Sequence, residues 1–218
     1  MKWIPQRRAM VAGLGATLAA MATGARPVRA QSAAGTNGPA RHDQDSWMEQ
    51  LPAKHRVFVD TASRLGGQDG VLFANNLFNV HEAAYGLKAT DLGIVLCFRH
   101  QSVVYGYNEA MWTKYGEVFS TRLELPKPIT ANPVNPAGPA ADGARTVATL
   151  ADKGAVIAVC AQATRNMAGR IATATGGNQD AIHKELLANA VRNGRFVPAG
   201  IISATHAQEL GYSLLSCA

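Results

Sequence analysis

Gly154-Ala155-Val156-Ile157-Ala158-Val159-Cys160-Ala161-Gln162-Ala163-Thr164-Arg165 is the stretch that decides the fold. Residues 155–159 are apolar and partly β-branched, and they follow the helix-ending pair Lys153-Gly154. An uninterrupted apolar run of strand length reads as a parallel strand covered on both faces, because a strand with one wet face alternates. Residues 161–168 then read as helix, ending at Gly169. Cys160 therefore stands where a buried strand hands over to a helix. A thiol there lies beside unpaired N–H groups and the positive end of a helix dipole, and both favour the thiolate. The carboxyl ends of parallel strands are also where α/β sheets bind ligands.

Outward from this junction, strand and helix alternate. Val57-Phe58-Val59-Asp60 reads as a first strand, and residues 63–70 as a Gly-containing loop. Residues 71–85 have helical spacing through Val71, Leu72, Leu77, Phe78 and His81, closed by Gly86. Residues 92–98 form a second apolar strand. Residues 103–115 read as a helix with Val104, Tyr107, Met111 and Trp112 on one face. Residues 119–141 hold five of the chain's ten prolines and break the rhythm, which suggests a long surface excursion, a lid or an oligomer contact. Residues 142–153 and 179–192 are helical, and Phe196-Val197-Pro198 is a short extended piece. A helix over 202–210 is stopped by Gly211, and 212–217 is a last strand. The expectation is one three-layer α/β domain over residues 56–218, with a mostly parallel sheet and helices on both faces.

The ends of the chain read differently. Arg7-Arg8 precede an Ala/Gly-rich apolar stretch, and Val28-Arg29-Ala30 offers a peptidase site. Residues 1–30 read as an export signal of twin-arginine type, cleaved after Ala30, which implies a periplasmic protein. The apolar stretch is too short and too rich in Gly and Ala for a membrane span. Residues 31–55 read as a flexible tether with a short helical turn near Trp47. Of the formal net charge of +6, five positive charges (Lys2, Arg7, Arg8, Arg26, Arg29) lie in residues 1–30, where there is no acid. The rest of the chain is nearly neutral, so the sequence pI of about 9.5 gives no support for nucleic-acid binding. Three cysteines are too few for a disulfide scaffold, and in an oxidising compartment their odd number leaves one thiol free or paired outside the chain.

Three stretches, with the strand at 92–98, carry a family likeness. They are the strand and helix around Cys160, Phe196-Val197-Pro198-Ala199-Gly200-Ile201-Ile202, and Ala207-Gln208-Glu209-Leu210-Gly211-Tyr212-Ser213. Over residues 56–217 the chain resembles the DsrE/DsrF-like family of sulfur-relay proteins. In sulfur-transferring members the working cysteine ends the strand before a short helix, and that position here is Cys160. The resemblance implies a persulfide carrier without a cofactor, often a homo-oligomer, that exchanges sulfur with a small sulfur compound or a partner thiol protein. The chain departs from the family in its export signal and its proline-rich excursion.

Other residues are weighed around Cys160. Arg99, His100 and Gln162 fall at strand ends and are candidates for substrate binding, Arg99 for an anion such as a sulfur oxyanion. Against this, Arg99 also reads as a solvated loop charge. Cys97 ends a neighbouring strand and is a candidate redox partner of Cys160, or an unpaired core cysteine. Cys97-x-x-His100 lacks a second ligand pair, so no metal is assigned. The Gly66-Gly67-Gln68-Asp69-Gly70 loop lacks the Lys-Ser/Thr of a P-loop, and Asp69 reads as a helix cap. Cys217, next to the C-terminus, reads as idle or as an oligomer contact. The alternative to a carrier is a non-catalytic module of the same fold that holds a small ligand, an anion or a metal at the strand ends, with Cys160 merely packed.

Overall fold

The computed structural model describes residues 38–51, 53–136 and 144–217. The export signal expected over residues 1–30 and the first part of the expected tether lie outside the described residues. Five strands, β1 (His55–Thr61), β2 (Leu92–Phe98), β3 (Val156–Cys160), β4 (Gly194–Val197) and β5 (Ser213–Cys217), form one sheet in the order β4-β3-β2-β1-β5. Every pairing is parallel, with Val59 opposite Leu96 and Leu215, and Leu96 opposite Ile157. All seven residues of β2 are buried, as a strand in the middle of a covered parallel sheet must be.

The helices are α1 (Ser46–Glu49), α2 (Arg64–Tyr85), α3 (Glu109–Arg122), α4 (Val147–Asp152), α5 (Ala161–Thr175), α6 (Gln179–Leu187) and α7 (Gly200–Glu209). Strand order decides which face each covers. From β1 through β2 and β3 to β4 the chain steps in one direction, and same-handed crossovers put every helix between them on one face. Accordingly Phe78, Trp112, Leu150, Met167 and Ile182, from α2 to α6, pack in one large core with Val59, Leu96 and Ile157. The step from β4 back across the sheet to β5 reverses direction and sends α7 to the other face. There Ala204 and Ala207 of α7 pack with Met48, Phe58, Val95 and Ala158. Connections after β3 and β4 thus leave on opposite faces, which opens a crevice between those two strand ends.

Several sequence expectations shift. The glycine-containing segment at 63–70 is not a loop but the first two turns of α2, capped by Ser63 (not Asp69), whose Oγ accepts from the Gly66 N–H at 2.9 Å. Its glycines are there for closeness: a Cβ on Gly67 would lie 2.5 Å from the Tyr105 ring, and one on Gly70 2.4 Å from Thr61 Cγ2. The helix expected over 103–115 is a 3-10 turn, Ser102–Gly106, followed by α3, because Asn108 starts a new helix by accepting from the Met111 N–H. Phe119, expected to open the excursion, is fully buried within α3. Beyond α3 the proline-containing chain is laid on the core: buried Asn132 donates to the carbonyls of Tyr105 and Tyr107 at 3.0 and 3.1 Å. Residues 137–143 of that segment lie outside the described residues. The folded unit also begins earlier than Arg56. Met48, within the expected tether, is fully buried, and its carbonyl accepts from the Tyr212 hydroxyl at 2.7 Å. Finally, α5 runs through Gly169 to Thr175, and Gly176 in the left-handed region (φ 71°) ends it. A bare Cα at Gly169 leaves room for the Gln179 side chain at the start of α6.

Candidate functional site

The crevice at the ends of β3 and β4 contains a cavity of about 310 Å³. That is the small end of the roughly 300–1,000 Å³ typical of small-molecule sites. Cys160, Gln162, Arg99 and His100 all line it, as do Arg122, Asn166 and Arg170. Four residues named from the sequence are therefore brought together by two strand ends, those of β2 and β3. Cys97 is not among the lining residues.

Cys160 is the N-cap of α5. Its Sγ accepts from the Ala163 N–H at 3.4 Å, and its backbone φ of −70° and ψ of 111° are those of an extended cap residue. Its carbonyl is held by Thr164 Oγ1 at 2.9 Å, and Tyr107 donates to that same hydroxyl at 3.0 Å. Burial pushes the Tyr107 phenol well above its ordinary range, so it remains a neutral donor. These bonds fix the strand-to-helix corner from beneath, and Cys160 is one of the residues that line the cavity. The residue as a whole is only 6 % exposed. Gln162 N–H donates to the Pro198 carbonyl at 3.3 Å, which ties the start of α5 to the segment leading into α7.

Cys97 is placed quite differently. It is fully buried on the α7 side of the sheet, and a Cβ on Gly200 would meet its Sγ at 2.9 Å. Burial, helped by the Asp60 charge, holds its thiol well above the usual range. In the register Cys97 lies opposite Ala158, two residues short of Cys160. Strand geometry then separates the two Cα atoms by about 8 Å, beyond the roughly 4.4–6.8 Å of disulfides. All three cysteines are free thiols. Cys97 and Cys160 thus lie on adjacent strands, as expected, but in offset register and without a bond between them. Cys217 ends the edge strand β5 and packs into the larger core, and burial raises its thiol too.

Arg99 also differs from both of its expected roles. It forms a two-point ion pair with buried Asp60, Nε to Oδ1 at 2.7 Å and Nη2 to Oδ2 at 2.8 Å. The hydrogen bonds it donates to this carboxylate hold the guanidinium proton more tightly than usual. Its charge is thus largely neutralised from within, and the side chain is neither a solvated loop charge nor a free anion clamp. Ser102 and Thr61 lock the turn beside it: the Thr61 hydroxyl lies 2.8 Å from the Cys97 carbonyl and 2.9 Å from Ser102 Oγ. This turn carries His100 in the left-handed region at φ 53°, exposed on the cavity rim. Among the described residues, no group of three or more His, Cys, Asp or Glu is placed to hold a metal ion.

Arg122 and Arg170 escaped the sequence reading. Arg122 ends α3 and Arg170 lies in the third turn of α5. The signal for Arg170 was present: Ala163, Asn166, Met167 and Arg170 follow Cys160 at three- and four-residue steps, the spacing of one helix face. Ending the helix at Gly169 cut it off. Arg122 was hidden because α3 was expected to stop at Tyr115.

The chain matches no protein-family model, no curated protein and no solved structure. Fold and site together define an α/β protein with a cysteine-bearing crevice at the switch point of a parallel sheet. Among the described residues, no helix is long and apolar enough to cross a membrane.

Proposed function

We propose that this chain is an exported sulfur carrier of DsrE-like type that holds sulfane sulfur as a persulfide on Cys160. The observation that supports this best is the place of Cys160, at the N-cap of α5 and among the residues that line a cavity at the switch point of the sheet. In the reaction the Cys160 thiolate attacks a sulfane sulfur of a donor. The donor's sulfur–sulfur bond breaks, its remaining fragment leaves with the bonding electrons, and a Cys160 persulfide remains. Attack by an acceptor thiolate on the outer sulfur returns Cys160. The Ala163 amide steadies negative charge on the sulfur. Arg99, held by Asp60, and His100 shape the wall opposite, and Gln162 offers a polar side chain at the mouth. No cofactor is needed for this exchange.

Export rests on the twin-arginine reading of residues 1–30. Assembly as a homo-oligomer is part of the same proposal. It is supported by the apolar side chains of Phe73, Val80 and Tyr85, which α2 leaves exposed.

The second reading, a non-catalytic anion-binding module, is favoured by one observation: Cys160 is only 6 % exposed while arginines crowd the same cavity. Intact-mass measurement after incubation with polysulfide separates the two. The carrier gains the mass of sulfur on Cys160, reversed by reductant and absent in Cys160→Ser. No gain on the wild-type protein rules out the carrier.

A further inference from the structure

Arg122 and Arg170 reach the cavity from different helices, α3 and α5, and line it together with Cys160. They also line the wider groove that continues outward from it past Glu117, Thr121 and Glu124. Among the described residues neither arginine makes a salt bridge, and the same holds for Arg56, Arg64, Arg145 and Arg195; what sets Arg122 and Arg170 apart is that both line the cavity of Cys160. The nearby Glu124 carboxylate accepts from Gln101 Nε2 at 3.2 Å. Its attraction for Arg122 is outweighed by burial and by the repulsion of Arg170, which together make the Arg122 guanidinium less ready to hold its proton. Two like charges on one cavity, only partly offset by Glu124, cost stability, and the arrangement becomes more favourable when an anion bridges them. Arg99 cannot supply this role because Asp60 already occupies its two-point face.

We infer that Arg122 and Arg170 form an oxyanion subsite, and that the sulfur donor is a small dianion with a terminal sulfane sulfur, of the thiosulfate type. The inference rests on the carrier reading of Cys160 for its chemistry, but the anion subsite stands on geometry alone. A donor of this class places its sulfonate end between the two guanidiniums and its outer sulfur toward Cys160. The thiolate attacks the outer sulfur and a new sulfur–sulfur bond forms. The bond between that sulfur and the sulfonate sulfur breaks, and sulfite leaves with its electron pair. One thiolate and one dianion become one persulfide anion and one sulfite dianion, so charge and electrons balance without any oxidant. The arginine pair orients the donor and stabilises the charge that builds on the departing sulfite.

The test compares two donors, thiosulfate and polysulfide, on the wild-type protein and on Arg122→Gln, Arg170→Gln and the double variant, reading sulfur gain at Cys160 by mass. Thiosulfate loading is expected to slow about tenfold or more for each substitution, as for loss of a charge-assisted hydrogen bond. Loading from polysulfide, an anion without a sulfonate group, is expected to slow less than loading from thiosulfate. Equal thiosulfate loading in the double variant overturns the subsite and leaves the carrier intact. Wild-type protein that loads from polysulfide but not from thiosulfate overturns the donor class. Calorimetric binding of sulfate to Cys160→Ser, with and without the two arginines, reads the subsite without any sulfur transfer. Sulfate bound by Cys160→Ser and lost with the arginines supports it even if Cys160 takes sulfur from neither donor. Absent or arginine-independent sulfate binding overturns it. The Arg170 side chain is exposed, so Arg170→Gln keeps the test open should Arg122→Gln fold poorly.

Discussion

The carboxyl ends of β2 and β3 lie side by side, each with a cysteine near its end and a polar segment beyond. At β2 the cysteine and the Arg99 guanidinium are held inward, while His100 stands exposed on the cavity rim. Cys97 is enclosed by α7, Arg99 is spent on Asp60, and Ser102 and Thr61 stitch the turn to the strand. At β3 the same ingredients open outward: Cys160 caps a helix and lines a cavity. Position relative to the switch in connection direction separates them. The connections after β1 and β2 leave on the same face, so no crevice opens between those strands. Those after β3 and β4 leave on opposite faces, and a crevice must open there.

The largest expected effect breaks the shared strand layer itself. Val159 is fully buried, and Val159→Asp places an unpaired charge in the larger core. The cost is on the order of the whole stability of a domain this size, so the variant should lack a cooperative thermal transition. The neighbouring Cys160→Ala should melt within a few degrees of wild type, since what it loses is one helix-cap hydrogen bond, worth about 1 kcal/mol. Similar melting of the two variants would mean that β3 is not the strand described. A smaller effect is expected at β2. Asp60→Ala strips the partner from a mostly buried Arg99 and should cost about 2–3 kcal/mol in urea denaturation, at the low end for such pairs because Arg99 keeps partial exposure. A change under about 0.5 kcal/mol, the scale of a surface pair, would show that the β2 end is no more tightly held than the β3 end.

Much of this layout was legible in the sequence, and the reasons for what was not are physical. The apolar runs at β2 and β3 announced themselves because strands covered on both faces cannot alternate. Cys160, Arg99, His100 and Gln162 were legible as neighbours because parallel strands end on one edge of the sheet. Glycine misled twice, at the start of α2 and at Gly169. In both places it marks close packing inside a helix, against Tyr105 and Thr61 or against Gln179, not a break in it. Asn132 shows a similar limit: one buried amide on two carbonyls holds a proline-containing segment to the core, and no periodicity signals such a contact. The offset of Cys97 from Cys160 depends on strand register, which composition does not fix. Arg122 and Arg170 depend on helix ends, the least sharply written part of any sequence.

The contrast between the two thiols is tested most directly by alkylating the native protein with iodoacetamide and mapping the label. Cys160 should react in the folded state, through the cavity, while Cys97 should react only after unfolding. Equal protection of both would close the crevice to reagents and contradict a working thiol at the end of β3.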